Sequence, residues 1–389
     1  MRGIAGTCEL SMTRRVGVEE EFLIVDDADG HAVPLGEVLD SLSGDDGLSS
    51  EMKQEQIETC TLPRITLEEL AQDITERRLS ADAAARAVGA RSVALATSPL
   101  PVRSTAAPGD RIMRMMEKFG VTAVEQLTCG CHVHVEVESD EEGVAILDRI
   151  RVWLPVLMAL TSNSPFSNGV DTGYASYRSQ AWNRWPTAGP SEIFGSARNY
   201  HSHINDMLRS GVPMDLAQIY FDARLSHWHP TVEVRVGDVC LHADDAVLLA
   251  ALVRGLAETA ARQWRAGVAP VAASAVQLRL ASWQAGRFGI RGDLVDPLTG
   301  QPRPAFEVVV ALLEHIQPVL REQGELAVVE FLLFQLLARG TGADRQRASF
   351  ARTGSLGSVI ADAVHAFSQP ATLRRDAAAA SLLTTQPEL

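Results

Sequence analysis

The chain predicts a mixed α/β protein whose sheet is assembled from segments far apart in sequence. Four short stretches alternate apolar and polar residues with a period of two, and long amphipathic stretches of helical period lie between and after them. No internal repeat, low-complexity linker or composition break marks a domain boundary. Of 389 residues, 46% are hydrophobic and 22% charged, which excludes a disordered or coiled-coil chain and leaves enough apolar side chains for a sizeable core.

Residues 1–13, MRGIAGTCELSMT, hold no apolar run of signal-peptide length and read as a disordered leader, with Met12 as an alternative start. Residues 14–389 read as one domain with a helical C-terminal region. The first strand is residues 15–26, RVGVEEEFLIVD. Alternate side chains of a strand share a face, so Glu19 and Glu21 lie together while Val18, Glu20, Phe22 and Ile24 point the other way. Residues 52–60, MKQEQIETC, read as a second strand with Gln54, Gln56 and Glu58 on one face. Thr66 and Glu69 form a capping box at the head of a helix reaching about residue 89.

Residues 128–138, TCGCHVHVEVE, are the third strand. Its pleat puts His132, His134, Glu136 and Glu138 on one face and Cys129, Cys131, Val133, Val135 and Val137 on the other. Ser139 and Glu142 repeat the cap signal before a helix to about Leu160. Residues 162–190 are rich in Gly, Ser, Asn and aromatics and read as a long functional loop that closes over a site. Residues 231–239, TVEVRVGDV, are the fourth strand, with Glu233 and Arg235 opposite Val232, Val234 and Val236. A helix follows from about residue 244 to 266. Beyond Gly289 the pattern is mostly helical, near 304–320, 324–338 and 355–368, and the last twenty residues read as frayed.

A net charge of −14 argues against a nucleic-acid or anionic-membrane partner, since either needs a basic excess. Cysteines 8, 60, 129, 131 and 240 are odd in number and lack small-scaffold spacing, so no disulfide framework is expected and a reducing cytoplasm is. The longest apolar stretches, near 246–257 and 325–338, are interrupted by Arg254 and Glu330 and read as too short for a membrane span.

Three separated strands each set charged or imidazole side chains opposite an aliphatic face. That is the pattern of a sheet packed on helices on one side and lined by a polar, ion-binding surface on the other. A lone pair such as Glu19 and Glu21 also suits a solvated edge strand. Carboxylates with one or two imidazoles suit Mg2+ or Mn2+, which also relieve their mutual repulsion. The alternative, zinc on Cys129, Cys131, His132 and His134, is opposed by the pleat, which separates thiols from imidazoles. Phosphoryl chemistry is the leading expectation, with arginine steadying the transferred charge. There is no P-loop and no kinase Gly-rich loop, so a nucleotide would be held chiefly through metal.

The segments VGVEEEFLIVD, CGCHVHVEV, SNSPFSNGVDTGYASYRSQAWNRWPTAGP, PTVEVRVGDV and RGDLVDPLTG, between about residues 14 and 300, resemble in order the signature blocks of the type 2 glutamate–cysteine ligase (carboxylate–amine ligase) family. The resemblance implies the glutamine-synthetase-like α+β fold. In it a curved, mostly antiparallel sheet forms a funnel-like active site packed with long helices. It implies an enzyme that uses ATP and Mg2+ (or Mn2+) to join glutamate to an amine such as cysteine through γ-glutamyl phosphate. Glu19, Glu21 and Glu58 match magnesium positions, His132 the G-x-H position near the nucleotide and Glu233 with Arg235 the E-V-R motif. Glu19, Glu21, Glu58, His132 and Glu233 are thus the expected metal positions, His132 and Arg235 the nucleotide positions, and Glu233 and Arg235 catalytic. Arg178 is the candidate for binding the substrate carboxylate or the transferred phosphate through a bidentate pair, the alternative being a loop-stabilising arginine. A homodimer is compatible with all of this. Tyr174, Tyr177, Trp182 and Trp185 either wall a pocket or pack the loop, and Asp171 and Arg184 stay unassigned. Competing readings are an amine other than cysteine, a zinc hydrolase using His132 and His134, and a non-catalytic binding protein.

Overall fold

The computed structural model describes residues 13–43 and 47–373. In chain order its strands are β1 (Val16–Asp26), β2 (Leu48–Ser50), β3 (Gln56–Cys60), β4 (Ala90–Val93), β5 (Gly130–Glu136), β6 (Phe166–Ser167), β7 (Val170–Asp171), β8 (Ala223–Leu225), β9 (Thr231–Asp238), β10 (Asp293–Val295) and β11 (Pro302–Pro304). The helices are α1 (Gly36–Ser43), α2 (Leu67–Ala87), α3 (Asp110–Phe119), α4 (Val121–Val124), α5 (Asp140–Ile150), α6 (Leu154–Thr161), α7 (Tyr177–Trp182), α8 (Ala197–Arg209), α9 (Ala243–Arg265), α10 (Ala275–Phe288), α11 (Ala305–Glu322), α12 (Leu326–Arg339), α13 (Gly342–Thr353) and α14 (Leu356–Phe367).

One sheet, ordered β2-β3-β1-β5-β9-β8 with β4 also paired to β1, carries the expected strands as its centre. Each of its pairings is antiparallel and the sheet does not close on itself. β1 is long enough to hold three partners, β3 along one edge and β5 then β4 along the other. Val16, Val18, Cys131, Val133, Val135, Val232 and Val234 form one buried aliphatic face. Helices α2, α5, α6 and α9 cover it, and the near-continuous apolar surface of α9 is what a helix packed on several sides requires.

Glu20 lies on this packed side. Its charge is met by Arg78 of α2, whose Nη2 and Nε donate to the carboxylate at 2.5 and 2.9 Å while the same guanidinium caps the carbonyls of Cys240 and Leu241.

Between β5 and β9 the register slips. Val133 pairs with Val234 but Cys131 pairs with Gly237, so β9 carries one extra residue opposite His132. The bulge leaves Val236 and Gly237 on the helix side and turns Asp238, the partner of Gly130, to the polar side.

Several expectations shift. The strand expected at 52–60 begins only at Gln56, because Lys53 turns inward to reach the Val124 carbonyl at 2.8 Å. The helix expected from Ser139 to Leu160 is two, α5 and α6, separated before Pro155, whose ring disfavours a helical residue ahead of it. The segment 162–190 is not a bare loop but contains the β6–β7 hairpin and α7. The stretch Leu326–Thr353 is long and apolar enough by composition to cross a membrane, contrary to the reading that it falls short. It is broken at Gly340 (φ 83°), and Val329, Leu332, Leu333 and Leu336 of α12 pack into the core. The expected leader, but for residue 13, and most of the frayed end lie outside the described residues. Described residues near the two ends are tied down: Arg14 pairs with Glu142 and Glu258 at 2.7 and 2.8 Å, and the Ala371 amide donates to Thr75 Oγ1.

Candidate active site

The opposite face of the sheet gathers the polar side chains. Antiparallel residues directly across from each other share a face, and the register sets Glu21 opposite Glu58, Glu19 opposite both Cys60 and His132, and His134 opposite Glu233. All five expected metal positions, Glu19, Glu21, Glu58, His132 and Glu233, therefore meet on one surface although they span more than half the chain. Expected Arg235 and Arg178 join them.

Three overlapping donor groups result: Glu19, His132 and Glu233; Glu19, Glu58 and Cys60; and Glu21, Glu51 and Glu58. Within each, one ligand atom per residue lies within 4.8 Å of the others. Glu19 is central. Its Oε2 is 3.2 Å from His132 Nδ1, and its Oε1 is 3.0 Å from His134 Nε2, a contact of ion-pair distance without hydrogen-bond alignment. Burial pushes the Glu19 carboxyl up, but the two imidazoles outweigh it and hold the group well below the usual carboxylate range.

Glu21 and Glu58 behave oppositely. Burial raises Glu21, and His132 and Arg178 only partly offset it, while its Oε2 accepts the Gly130 amide at 2.5 Å. Burial, then the neighbouring Glu51 carboxyl, then Glu19 push Glu58 well above its ordinary value. Carboxyls crowded until they resist ionising are what a divalent cation relieves, so the donor set fits Mg2+ or Mn2+. His132 is held below its usual value by burial and Arg235, which leaves the neutral imidazole a ligand needs.

Glu233 is the most committed of the five. Arg224 grips it through Nε at 2.8 Å and Nη2 at 3.3 Å, and Arg235 Nη1 pairs with Oε1. Burial would raise its carboxyl, yet Arg235 and Arg224 bring it to about 2. Arg178, only 3% exposed, comes from α7 and crosses Gly130. A Cβ on Gly130 would collide with Arg178 Nη2 and stand 2.9 Å from His132 Nε2, so a larger residue here must displace those side-chain ends. Arg178 Nη2 donates to the Arg235 carbonyl at 3.3 Å, its guanidinium stacks 5.7 Å from the Trp182 ring, and its buried Nε has no protein partner.

The segment bearing Arg178 is fastened to β9 through Asp238. Asp238 accepts the Asn163 amide at 2.8 Å and the Ser164 and Ser176 hydroxyls at 2.7 Å each. Trp185 packs on Phe119 and Tyr220, Tyr174 on Trp283, Asp171 pairs with Arg347 and Arg184 with Glu125, so these four tie the segment to the elements around it.

Sequence reasoning missed Glu51, Cys60, Asp222, Arg224 and Asp238. Asp222 and Arg224 alternate as strand residues do, and that signal was readable on the short β8 approach. Asp222 is pushed up to about 7 by burial, opposed by Arg178 and Arg279. Cys60, unlike Cys129, Cys131 and Cys240, is partly exposed, and its Sγ lies 3.3 Å from Glu58 Oε1. A 380 Å³ cavity adjoins this end of the cluster, with Glu19, Cys60 and His134 in its wall.

An antiparallel sheet with one face under helices and the other lined by carboxylates, imidazoles and two arginines is the architecture expected of the ligase family that the sequence blocks resemble. The chain belongs to glutamate-cysteine ligase family 2 (GCS2), whose pattern matches residues 15–362. A protein of Paenarthrobacter aurescens (strain TC1), provisionally named glutamate–cysteine ligase 2-1, is 49% identical over 90% of this chain and 94% of its own length. A Streptomyces avermitilis protein of the same provisional name is also 49% identical, over 90% and 98%. Among solved structures, glutamate–cysteine ligase from Francisella tularensis in complex with AMP has a similar fold, with a TM-score of 0.69 at 14% identity over 96% of this chain and 92% of that one.

Proposed function

We propose that this protein is an ATP-dependent ligase that activates the γ-carboxylate of glutamate and transfers it to an amine, cysteine being the acceptor its relatives' names suggest. The observation that carries the reading is Arg178 crossing Gly130 to the Arg235 carbonyl, with the Arg235 guanidinium on Glu233, beside three overlapping cation-binding groups. Phosphoryl transfer needs little covalent help from protein and much positioning and charge stabilisation, and this face supplies both.

In the first step the glutamate γ-carboxylate attacks the γ-phosphorus of ATP, giving γ-glutamyl phosphate and ADP. Arg235, oriented by Glu233, and Arg178, steadied by Trp182, stand where negative charge spreads over the equatorial oxygens. Mg2+ held by Glu19, Glu21, Glu51, Glu58 and His132, with Glu233 at its edge, would neutralise phosphate charge. In the second step the neutral amine attacks the acyl carbon, phosphate leaves, and the amine's proton passes to a base. The buried sheet face limits competing attack by water.

The test is to incubate the purified protein with ATP, Mg2+ and glutamate, screen amino acids and small amines for phosphate release, and identify the amide by mass. Amine-dependent phosphate release with a matching γ-glutamyl product is expected. Hydrolytic activity without ATP in a zinc-loaded protein would overturn the reading.

A further inference from the structure

Among the described residues, Cys60 is the one soft donor on a face otherwise built from oxygen and nitrogen. Its strand position faces Glu19, its Sγ is 3.3 Å from Glu58 Oε1, and one donor atom each from Cys60, Glu19 and Glu58 fits within 4.8 Å. A nitrogen adjoins the group. His134 bonds Thr231 Oγ1 through Nδ1 at 3.0 Å, which turns Nε2 toward Glu19 Oε1, also 3.0 Å away. That nitrogen is fully buried, and its contact with Glu19 is an ion pair. The second ring nitrogen anchored by a polar neighbour is the usual arrangement of a metal-binding imidazole. Cys60, Glu19 and His134 also line the 380 Å³ cavity, so an ion can reach them.

We propose that Cys60, with Glu19 and Glu58 and with His134 alongside, forms a site for thiophilic divalent cations such as Zn2+ and Cd2+, which displace Mg2+ from this end of the cluster and stop ligation. The proposal rests on the ligase reading for its consequence but not for the binding itself. Magnesium prefers oxygen and gains little from sulfur, whereas zinc and cadmium favour thiolate and imidazole over water. On binding, the Cys60 S–H bond is replaced by a sulfur–metal bond and the proton passes to solvent. A thiolate facing two carboxylates thus turns a magnesium position into one that the softer ions win.

The experiment titrates Cd2+ alone into the full-length protein in excess Mg2+, without ATP or glutamate. It follows the sulfur-to-cadmium charge-transfer absorption. A Cys8→Ser background removes the cysteine that lies outside the described residues, and Cys129, Cys131 and Cys240 are buried. A saturable band of one equivalent is expected, lost in both Cys60→Ser and Cys60→Ala. Glu58→Gln keeps the thiol and should bind Cd2+ more than ~10-fold more weakly, at least what loss of an outer-shell partner costs. In ligation assays, the half-inhibitory Zn2+ concentration should rise more than ~10-fold in Cys60→Ser, each variant measured against its own zinc-free rate. No band in the parent, or a band unchanged by both Cys60 substitutions, overturns the proposal. Because the band is read without substrates, its absence leaves the ligase reading standing, and an inactive preparation still tests the site.

Discussion

At the scale of the residue, the site works by setting like groups into unlike environments. Glu233 and Glu58 are both buried glutamates on one sheet face. Two guanidiniums hold the first at about 2, while a neighbouring carboxyl drives the second upward. Arg235 is bound to the first of them, and in the proposed reaction it meets the transferred phosphoryl group. Arg235→Lys keeps the charge but not the two-pronged contact, so turnover should fall far more than the KM for ATP rises. A loss of about 2–4 kcal/mol, roughly thirty- to a thousand-fold in rate, is expected. A loss under about threefold in steady-state assays would assign Arg235 only to neutralising Glu233. The crowded carboxyls make a second prediction. Their folded pKa values lie above the unfolded ones, so the fold binds more protons and loses stability as pH rises through and above the ordinary carboxylate range. Mg2+ cancels that loss. Its stabilising shift in thermal unfolding should therefore be larger at about pH 8 than at about pH 5, and an equal shift would count against these carboxyls as its ligands.

At the scale of the element, the strands position the chemistry through two local departures from regularity. The β9 bulge delivers Asp238 to the polar face, and from there it fastens the segment that carries Arg178. Gly130 then leaves the gap that Arg178 crosses to reach the Arg235 carbonyl. Gly130→Ala should push the guanidinium aside without unpairing β5, since the clash is with a side-chain end. Overpacking of this kind costs about 1–3 kcal/mol, whereas turnover should fall by more than ~10-fold because a misplaced charge loses most of its effect on the transition state. Chemical denaturation and initial rates measured side by side check this. Equal, small losses in both would mean that Arg178 is structural.

At the scale of the whole molecule, buried ion pairs join parts of the chain that lie far apart. Arg78 of α2 links β1 to the carbonyls after β9, Arg14 links α5 to α9, and Arg254 links α9 to Glu325 ahead of α12. Removing one partner strands a buried charge, so Arg78→Met should destabilise by about 3–5 kcal/mol in urea unfolding. Adding Glu20→Met should recover a large part of that loss, because both desolvated charges are then gone. Simple additivity of the two single losses would show that Arg78 acts mainly through the Cys240 and Leu241 carbonyls.

The two-residue alternation over residues 16–26, 130–136 and 231–236 was enough to say which side chains share the polar face, because burying one face of a strand leaves no freedom in the other. The capping box of α2 and the Ser139 cap of α5 marked where those helices begin, and the run of apolar residues foretold α9, since both signals are local. The order of signature blocks carried the family. Tertiary structure decided what depends on strands meeting across the chain. It placed Glu51 beside Glu58, Cys60 opposite Glu19 and Arg224 opposite Glu233, none of which a single strand's pattern can reveal. It also turned Asp238 to the site through one extra residue in β9, a change of register that exists only in the pairing with β5.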